Sequence, residues 1–277
     1  MSRTTRPTLD EARAACRLVG DVRDLRGDPP AQRARMVEGM CNLLGARQGT
    51  ALVFENFAAG LRMRFVTATH AGWANVAATA MWEQLLHAGQ FDQDVVLVGC
   101  RRYEAARSAD ERRRRPATIL RPEVVSDDAF YAAPLIRELL PVLEIDGHVV
   151  GWHTPAPGAP TLAMTFHRDI RDPKFAPRQR EVLRLFFEEL ALAQAGGKLD
   201  APAAPDARVR NGRPGPALSP RERAVLKNLL AGRSVKETAA ALRLSPRTVE
   251  DYVKALYRKH DVHSRAELMT LFVNPPQ

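Results

Sequence analysis

The chain has 277 residues, 45% of them hydrophobic and 26% charged, which is apolar material for about two globular domains and too much for global disorder. Its start, MSRTTRPTLDEARAA, has no apolar signal-peptide core, and no stretch reaches the roughly 18 apolar residues of a membrane span, so a cytoplasmic protein without a membrane partner is expected. The formal net charge of +9 is concentrated at one end, with 14 Lys and Arg against 6 Asp and Glu from Arg208 onward and 27 against 26 before it, which points the C-terminal quarter towards a polyanion.

In chain order, helical periodicity predicts helices at Leu9–Leu25 and Ala31–Leu44, then strands at Thr50–Phe54 and Leu61–Thr69. A helix follows at Ala74–Ala88, an apolar strand at Val95–Cys100 and a helix at Asp127–Leu140. Asp146-Gly147 between Val142–Ile145 and His148–Trp152 reads as a hairpin turn. Thr161–His167 alternates, with Leu162, Met164 and Phe166 on one face, and Arg178–Ala193 is a long helix with Val182, Phe186 and Leu190 at i, i+4, i+8. Residues 1–195 are therefore expected to form an α+β domain, helices on an antiparallel sheet. Residues 196–216, rich in Ala, Pro and Gly, read as a linker, whose Arg208, Arg210 and Arg213 are either idle or extra phosphate contacts. Cys16, Cys41 and Cys100 are odd in number and show no CxxC spacing, as in a reduced compartment.

Residues 217–277 are expected to be all-α. Four serines each precede a short apolar period: Ser219, Ser234, Ser245 and Ser264. Ser219-Pro-Arg-Glu222, Ser234-Val-Lys-Glu237 and Ser264-Arg-Ala-Glu267 spell capping boxes, in which the serine oxygen accepts from the N3 amide and the glutamate reaches back to the cap amide. Ser245-Pro246-Arg247-Thr248 has Pro at the first helical position but Thr in place of the glutamate. The helices run Pro220–Ala231, Val235–Leu242, Pro246–His260 and Arg265–Phe272, with Gly232 stopping the first. Only Arg243 and Leu244 separate the second from Ser245, the tight joint of a helix-turn-helix. The third buries Val249, Val253 and Leu256 and presents Arg247, Glu250, Asp251, Lys254 and Arg258 on its other face.

The segment from Leu218 to Leu268 resembles the LuxR/FixJ-type helix-turn-helix domain of bacterial transcription regulators. The resemblance is carried by Glu222, Leu226, Gly232, Glu237, Ala239, Leu242, Ser245, Thr248, Val249, Lys259, Val262, Ser264 and Arg265, in register without a gap. Thr238, Tyr252 and His260 depart from the residues usual in the family. The resemblance implies that the third helix enters the major groove of double-stranded DNA and that dimers bind paired half-sites, with RNA polymerase as a further partner. Lys236, Ser245, Arg247, Thr248 and Arg258 are then expected at phosphates, and Glu250, Asp251 and Lys254 at base edges. Glu250 and Lys254 equally fit a plain i, i+4 surface pair. A sigma-factor-like initiation protein is the alternative class.

The N-terminal part has no P-loop, H-E-x-x-H or G-x-S-x-G motif and no receiver-like acidic cluster, so an enzyme is not expected. Its pattern resembles GAF/PAS-like sensor domains, which implies sensing or dimerisation and a small-molecule ligand between sheet and helices. Trp73, Trp82, Trp152 and His153 are the ligand-binding candidates, against plain core packing for the tryptophans. His148, His153 and His167 lie on neighbouring predicted strands, but satisfied or exposed histidines are the plainer account, and no metal or cofactor is expected. Arg112–Arg115 reads as a solvated loop or an anion contact, and the Phe186–Phe187 pair as a homodimer seam or as packing on its own sheet.

Overall fold

A computed structural model describes residues 5–58, 63–72, 82, 94–137, 145–199, 218–230, 232–260 and 262–268. The chain divides into two compact units, one made of residues 1–73 and 91–210 and the other of residues 74–90 and 211–277.

In the first unit, α1 (Leu9–Asp24) opens at a capping box between Thr8 and Glu11, and α2 (Pro29–Leu44) starts where Asp28 accepts from the Ala31 amide. β1 (Gln48–Glu55) and β2 (Arg64–Ala71) follow. Next come α3 (Val95–Ala106), α4 (Ala109–Arg114), β3 (Ala117–Leu120), a 3-10 turn (Arg121–Glu123) and α5 (Asp127–Ala132). β4 (Ile145–His153), β5 (Thr161–Asp169) and α6 (Pro177–Ala195) complete the order. The strands form one antiparallel sheet in the order β2-β1-β5-β4-β3. The expected antiparallel sheet with helices is what the chain builds.

One sheet face, with Ala51, Val53, Val149, Leu162, Met164 and Phe166, packs on α1, α2 and α6. Phe186 and Phe187 are fully buried there, so packing on the sheet accounts for the pair. Phe187 lies directly over Gly151, where a Cβ would come within 2.5 Å of its ring. Leu199 is buried in the same core. The other sheet face, with Phe54 and Trp152, meets Phe57 and the Tyr103 ring of α3.

Three expectations are corrected. Val95–Cys100 is not a strand but the start of α3. Asp94 Oδ1 accepts from the Val96 and Leu97 amides at 2.9 and 3.1 Å, a helix cap, and the buried positions 96, 97, 100 and 104 follow a helical period. A short apolar run cannot separate a buried strand from a buried helix by pattern alone. Asp146-Gly147 is not a hairpin turn, because β4 runs through it. A two-residue hairpin turn of this kind needs positive φ, which neither residue adopts, and the pair sits instead at a register shift between Ile145 and His148. The helix expected at Asp127–Leu140 breaks at Ala133, extended at φ −64°, ψ 129°, because Pro134 disfavours a helical predecessor. The helix expected at Ala74–Ala88 lies outside the described residues apart from Trp82, which is helical.

The second unit contains α7 (Pro220–Leu230), α8 (Val235–Leu242) and α9 (Pro246–His260), and a further helix starting at Arg265 is described as far as Leu268. Gly232 follows α7 at φ 85°, as a C-terminal stop requires. Val225, Leu226, Leu229, Val249, Val253 and Leu256 are among the residues that close one core.

Candidate nucleic-acid interface

The interface rests on the way the four helix starts are tied. At α7 the Glu222 amide donates to Ser219 Oγ at 3.2 Å and the Ser219 amide donates to Glu222 Oε2 at 2.7 Å. At α8 the corresponding distances between Glu237 and Ser234 are 3.3 and 2.7 Å. The Ser264 start is a variant of the expected box. Glu267 donates its amide to Ser264 Oγ, but its carboxylate reaches the amide of His263, one residue earlier, and accepts from the Ser264 hydroxyl.

At α9 the Thr248 amide donates to Ser245 Oγ at 3.0 Å, and the two hydroxyls lie 2.7 Å apart. The threonine therefore closes on the cap hydroxyl. Among the described residues no side chain accepts from the Ser245 amide. If Ser245 donates its proton to Thr248 Oγ1, the threonine proton is left for an outside acceptor, beside the partial positive charge of a helix N-terminus.

The α8–α9 joint is fixed by Arg243, left-handed at φ 53°, ψ 47°, whose amide bonds back into α8 while the Leu244 amide donates to Ala239 O at 2.9 Å. The far end of α9 is anchored to α7. Lys259 Nζ donates to Glu222 Oε2 at 2.7 Å, and Arg265 Nη2 donates to Leu229 O at 2.9 Å. Burial would raise the Glu222 carboxyl, but Lys259 and the Ser219 bonds outweigh it and hold the group below its ordinary range. Burial, aided by the charge of Lys259, holds the neighbouring His260 imidazole below its ordinary range. Pattern reading matched Lys259, Glu222 and Arg265 without showing that they brace the helix, since their partners are distant in sequence.

All the DNA-contact candidates are accessible. Lys236, Ser245, Arg247, Glu250, Asp251, Lys254 and Arg258 are exposed, and Thr248 is half-buried. On α9, residues 247, 250, 251, 254 and 258 share one face, opposite buried Val249, Val253 and Leu256. Lys236, Arg247, Lys254 and Arg258 have no ion-pair partner among the described residues. Glu250 and Lys254 do not form the i, i+4 pair either, so both side chains are open to an external partner.

Trp152 and His153, the described ligand-binding candidates of the first unit, are not brought together. Trp152 and His153, adjacent on β4, point to opposite faces. Trp152 is 1% exposed, donates Nε1 to Glu104 Oε2 at 2.9 Å and packs edge-on against Tyr103. His153 is on the α6 side, beside Gly151 and opposite Leu162, and burial, aided by Arg107, pushes its pKa down to about 4. Trp82 is half-buried with its indole N–H unpartnered, and Trp73 lies outside the described residues. His148 and His167 pair across the other face, so the three histidines do not converge. Among the described residues no group of three or more His, Cys, Asp or Glu could hold a metal ion. Nor is any helix there long and apolar enough to cross a membrane.

Residues 216–272 match the family described as bacterial regulatory proteins, luxR family. Over 69 residues the chain is 36% identical to the probable HTH-type transcriptional regulator GfsR of Streptomyces halstedii, a stretch covering 25% of this chain and 28% of that protein. Among solved structures, SdiA in complex with octanoyl-rac-glycerol aligns over 98% of this chain and 95% of its own, with 15% identity and a TM-score of 0.45. Escherichia coli SdiA aligns over 93% and 97%, with 14% identity and a TM-score of 0.40. The C-terminal unit thus carries a LuxR-family helix-turn-helix domain.

Proposed function

We propose that this chain is a bacterial transcription regulator that inserts α9 into the major groove. The observation that carries the reading is the exposed face of α9, where Arg247, Glu250, Asp251, Lys254 and Arg258 are held on one side by a buried core on the other. Lys236, Arg247, Arg258 and the Ser245–Thr248 cap contact phosphates and set register without reading sequence. Lys254 donates to guanine O6 or N7, and Glu250 accepts from cytosine N4. Asp251 adds a second acid to that face, so non-specific affinity is modest and the preference for the correct bases is correspondingly sharp.

The N-terminal unit acts as the sensory and dimerisation part, and two copies present two α9 helices to paired half-sites. Signal binding changes dimer geometry or domain docking, shifting the population competent for DNA. Supporting this is the division of labour in charge, a nearly neutral first part beside a strongly basic last quarter.

Sequence selection from random duplex DNA with the full chain tests the reading, followed by binding of residues 208–277 to the enriched site. The expected outcome is a two-fold related site bound by the full chain with marked salt dependence. Recovery of no enriched sequence by either protein refutes the groove assignment.

A further inference from the structure

The helix-turn-helix joint holds an arginine where a glycine is the ordinary choice. α2 and α7 reach the left-handed region at Gly45 and Gly232, with φ of 60° and 85°. α8 stops instead at Arg243, with φ 53° and ψ 47°. Among the described residues the other non-glycine at positive φ is Asn56, whose short amide suits that region. The Cβ of an arginine there crowds the following carbonyl oxygen, and its long side chain makes no local bond to offset the cost.

The fold does not use this side chain. The Arg243 amide donates to Ala239 O and Ala240 O, which any residue but proline can do. Other arginines of the unit brace its helix ends: Arg223 Nη1 donates to Leu218 O, Arg233 Nη1 to Asn228 Oδ1 and Arg265 Nη2 to Leu229 O. Arg243 is exposed, and among the described residues no hydrogen bond or ion pair holds its guanidinium. Its charge at the C-terminus of α8 is favourable, but at an exposed site that gain is smaller than the cost of the backbone. A strained residue whose side chain does nothing for the folded unit serves something outside it.

The place of the strain selects the partner. Arg243 lies two residues before Ser245, so its Cα is at most about 7.6 Å from that of the cap. Arg247 lies two residues after it. Cations thus flank in sequence the free end of α9, where the Ser245 and Thr248 hydroxyls lie 2.7 Å apart. A guanidinium beside a helix N-terminus suits a phosphate.

We propose that Arg243 is a further phosphate contact, made from the turn itself, that fixes how α9 enters the groove. The proposal rests on the groove reading above and adds to it a residue outside both helices. Stability and affinity should then move in opposite directions in a single variant.

That variant is Arg243→Gly in the full chain. Hydrogen exchange of the α8 and α9 amides, read by mass spectrometry, should slow about fivefold as the strain is relieved. Affinity for the duplex selected with the parent should fall about eightfold at about 0.1 M salt, and the logarithmic salt slope should flatten by about 0.9, the value of one phosphate. Arg243→Lys keeps a cation and should keep the parent slope. Arg243→Asn accepts the left-handed backbone without the charge and should match the glycine variant in slope. Faster exchange in Arg243→Gly would mean that the arginine is held for α8 itself and overturns the proposal, as does a glycine variant with the parent affinity and slope. Arg247→Ala on the same duplex separates the two readings. A flattened slope there beside an unchanged one in Arg243→Gly removes the turn contact alone, whereas unchanged slopes in both remove the groove reading with it.

Discussion

Replacing Thr248 by glutamate should strengthen the domain and weaken its grip on DNA. Among the described residues no side chain answers the Ser245 amide, whereas Ser219 and Ser234 each donate to a glutamate at 2.7 Å. Glutamate at 248 completes a third such box on the same spacing. A completed cap is worth about 1 kcal/mol, and losing the 2.7 Å contact between the Ser245 and Thr248 hydroxyls offsets part of it. The net gain of about 0.5 kcal/mol should raise the midpoint of a domain this small by about 2–4 °C. On DNA the new carboxylate stands near a phosphate. At about 5 Å the repulsion is about 1 kcal/mol in a watery interface and about 3 kcal/mol in a drier one, a weakening of about 5- to 150-fold. Thr248→Gln is the control, because it completes the box without the charge and should lose far less affinity. Circular dichroism of residues 208–277 gives the midpoint, and fluorescence anisotropy on the selected duplex gives the affinity. If Thr248→Glu binds like the parent, the α9 N-terminus does not face a phosphate and the account of Ser245 collapses.

Other expectations follow from the same contacts. Arg247→Ala should weaken binding similarly on all sequences and flatten the logarithmic salt slope by about one unit, whereas Lys254→Ala should relax preference at one base position; equal salt slopes and equal base preferences in parent and both variants would contradict the roles assigned. Thr238 is fully buried with an unpartnered hydroxyl, so Thr238→Val should stabilise the C-terminal domain by about 1 kcal/mol without touching DNA affinity; a lower unfolding midpoint would mean that the hydroxyl is satisfied. Burial, despite a bond to Asp146 O and aided by Arg121, pushes the His148 pKa down to about 4, and His153 is depressed to a similar value. Both imidazoles take up protons more readily unfolded, so their stabilisation is full above the ordinary histidine pKa of about 6.5 and is lost as pH falls towards 4, up to about 3 kcal/mol each. Asp94 works the other way: burial raises its pKa to about 6, its amide bonds notwithstanding, so its contribution is present at low pH and lost as pH rises through that value. The N-terminal unit should therefore lose stability between pH 6.5 and 4, less steeply in His153→Gln, as urea unfolding at a series of pH values would show; an unchanged slope in that variant would mean that His153 is not held neutral by burial.

The sequence by itself determined α8 and α9 to the residue, because Ser caps, Pro at the first helical position and apolar periods are local chemistry acting over one or two turns. It determined the long helices and the β1 and β5 strands of the first unit for the same reason. It misplaced α3, since the strand-like run Val95–Cys100 becomes helical through the preceding Asp94 cap, and it took Asp146-Gly147 for a turn. That dipeptide favours a hairpin only when nothing else claims it; here Tyr131 Oη donates to Asp146 Oδ1 at 2.7 Å, and the strand runs on. What only the tertiary structure decided is register. Gln48, Arg121, His148 and His167 are scattered over some 120 residues, and nothing in their local sequence links them. Antiparallel pairing sets Gln48, His167 and His148 on one rung, with Arg121 in the turn that follows β3.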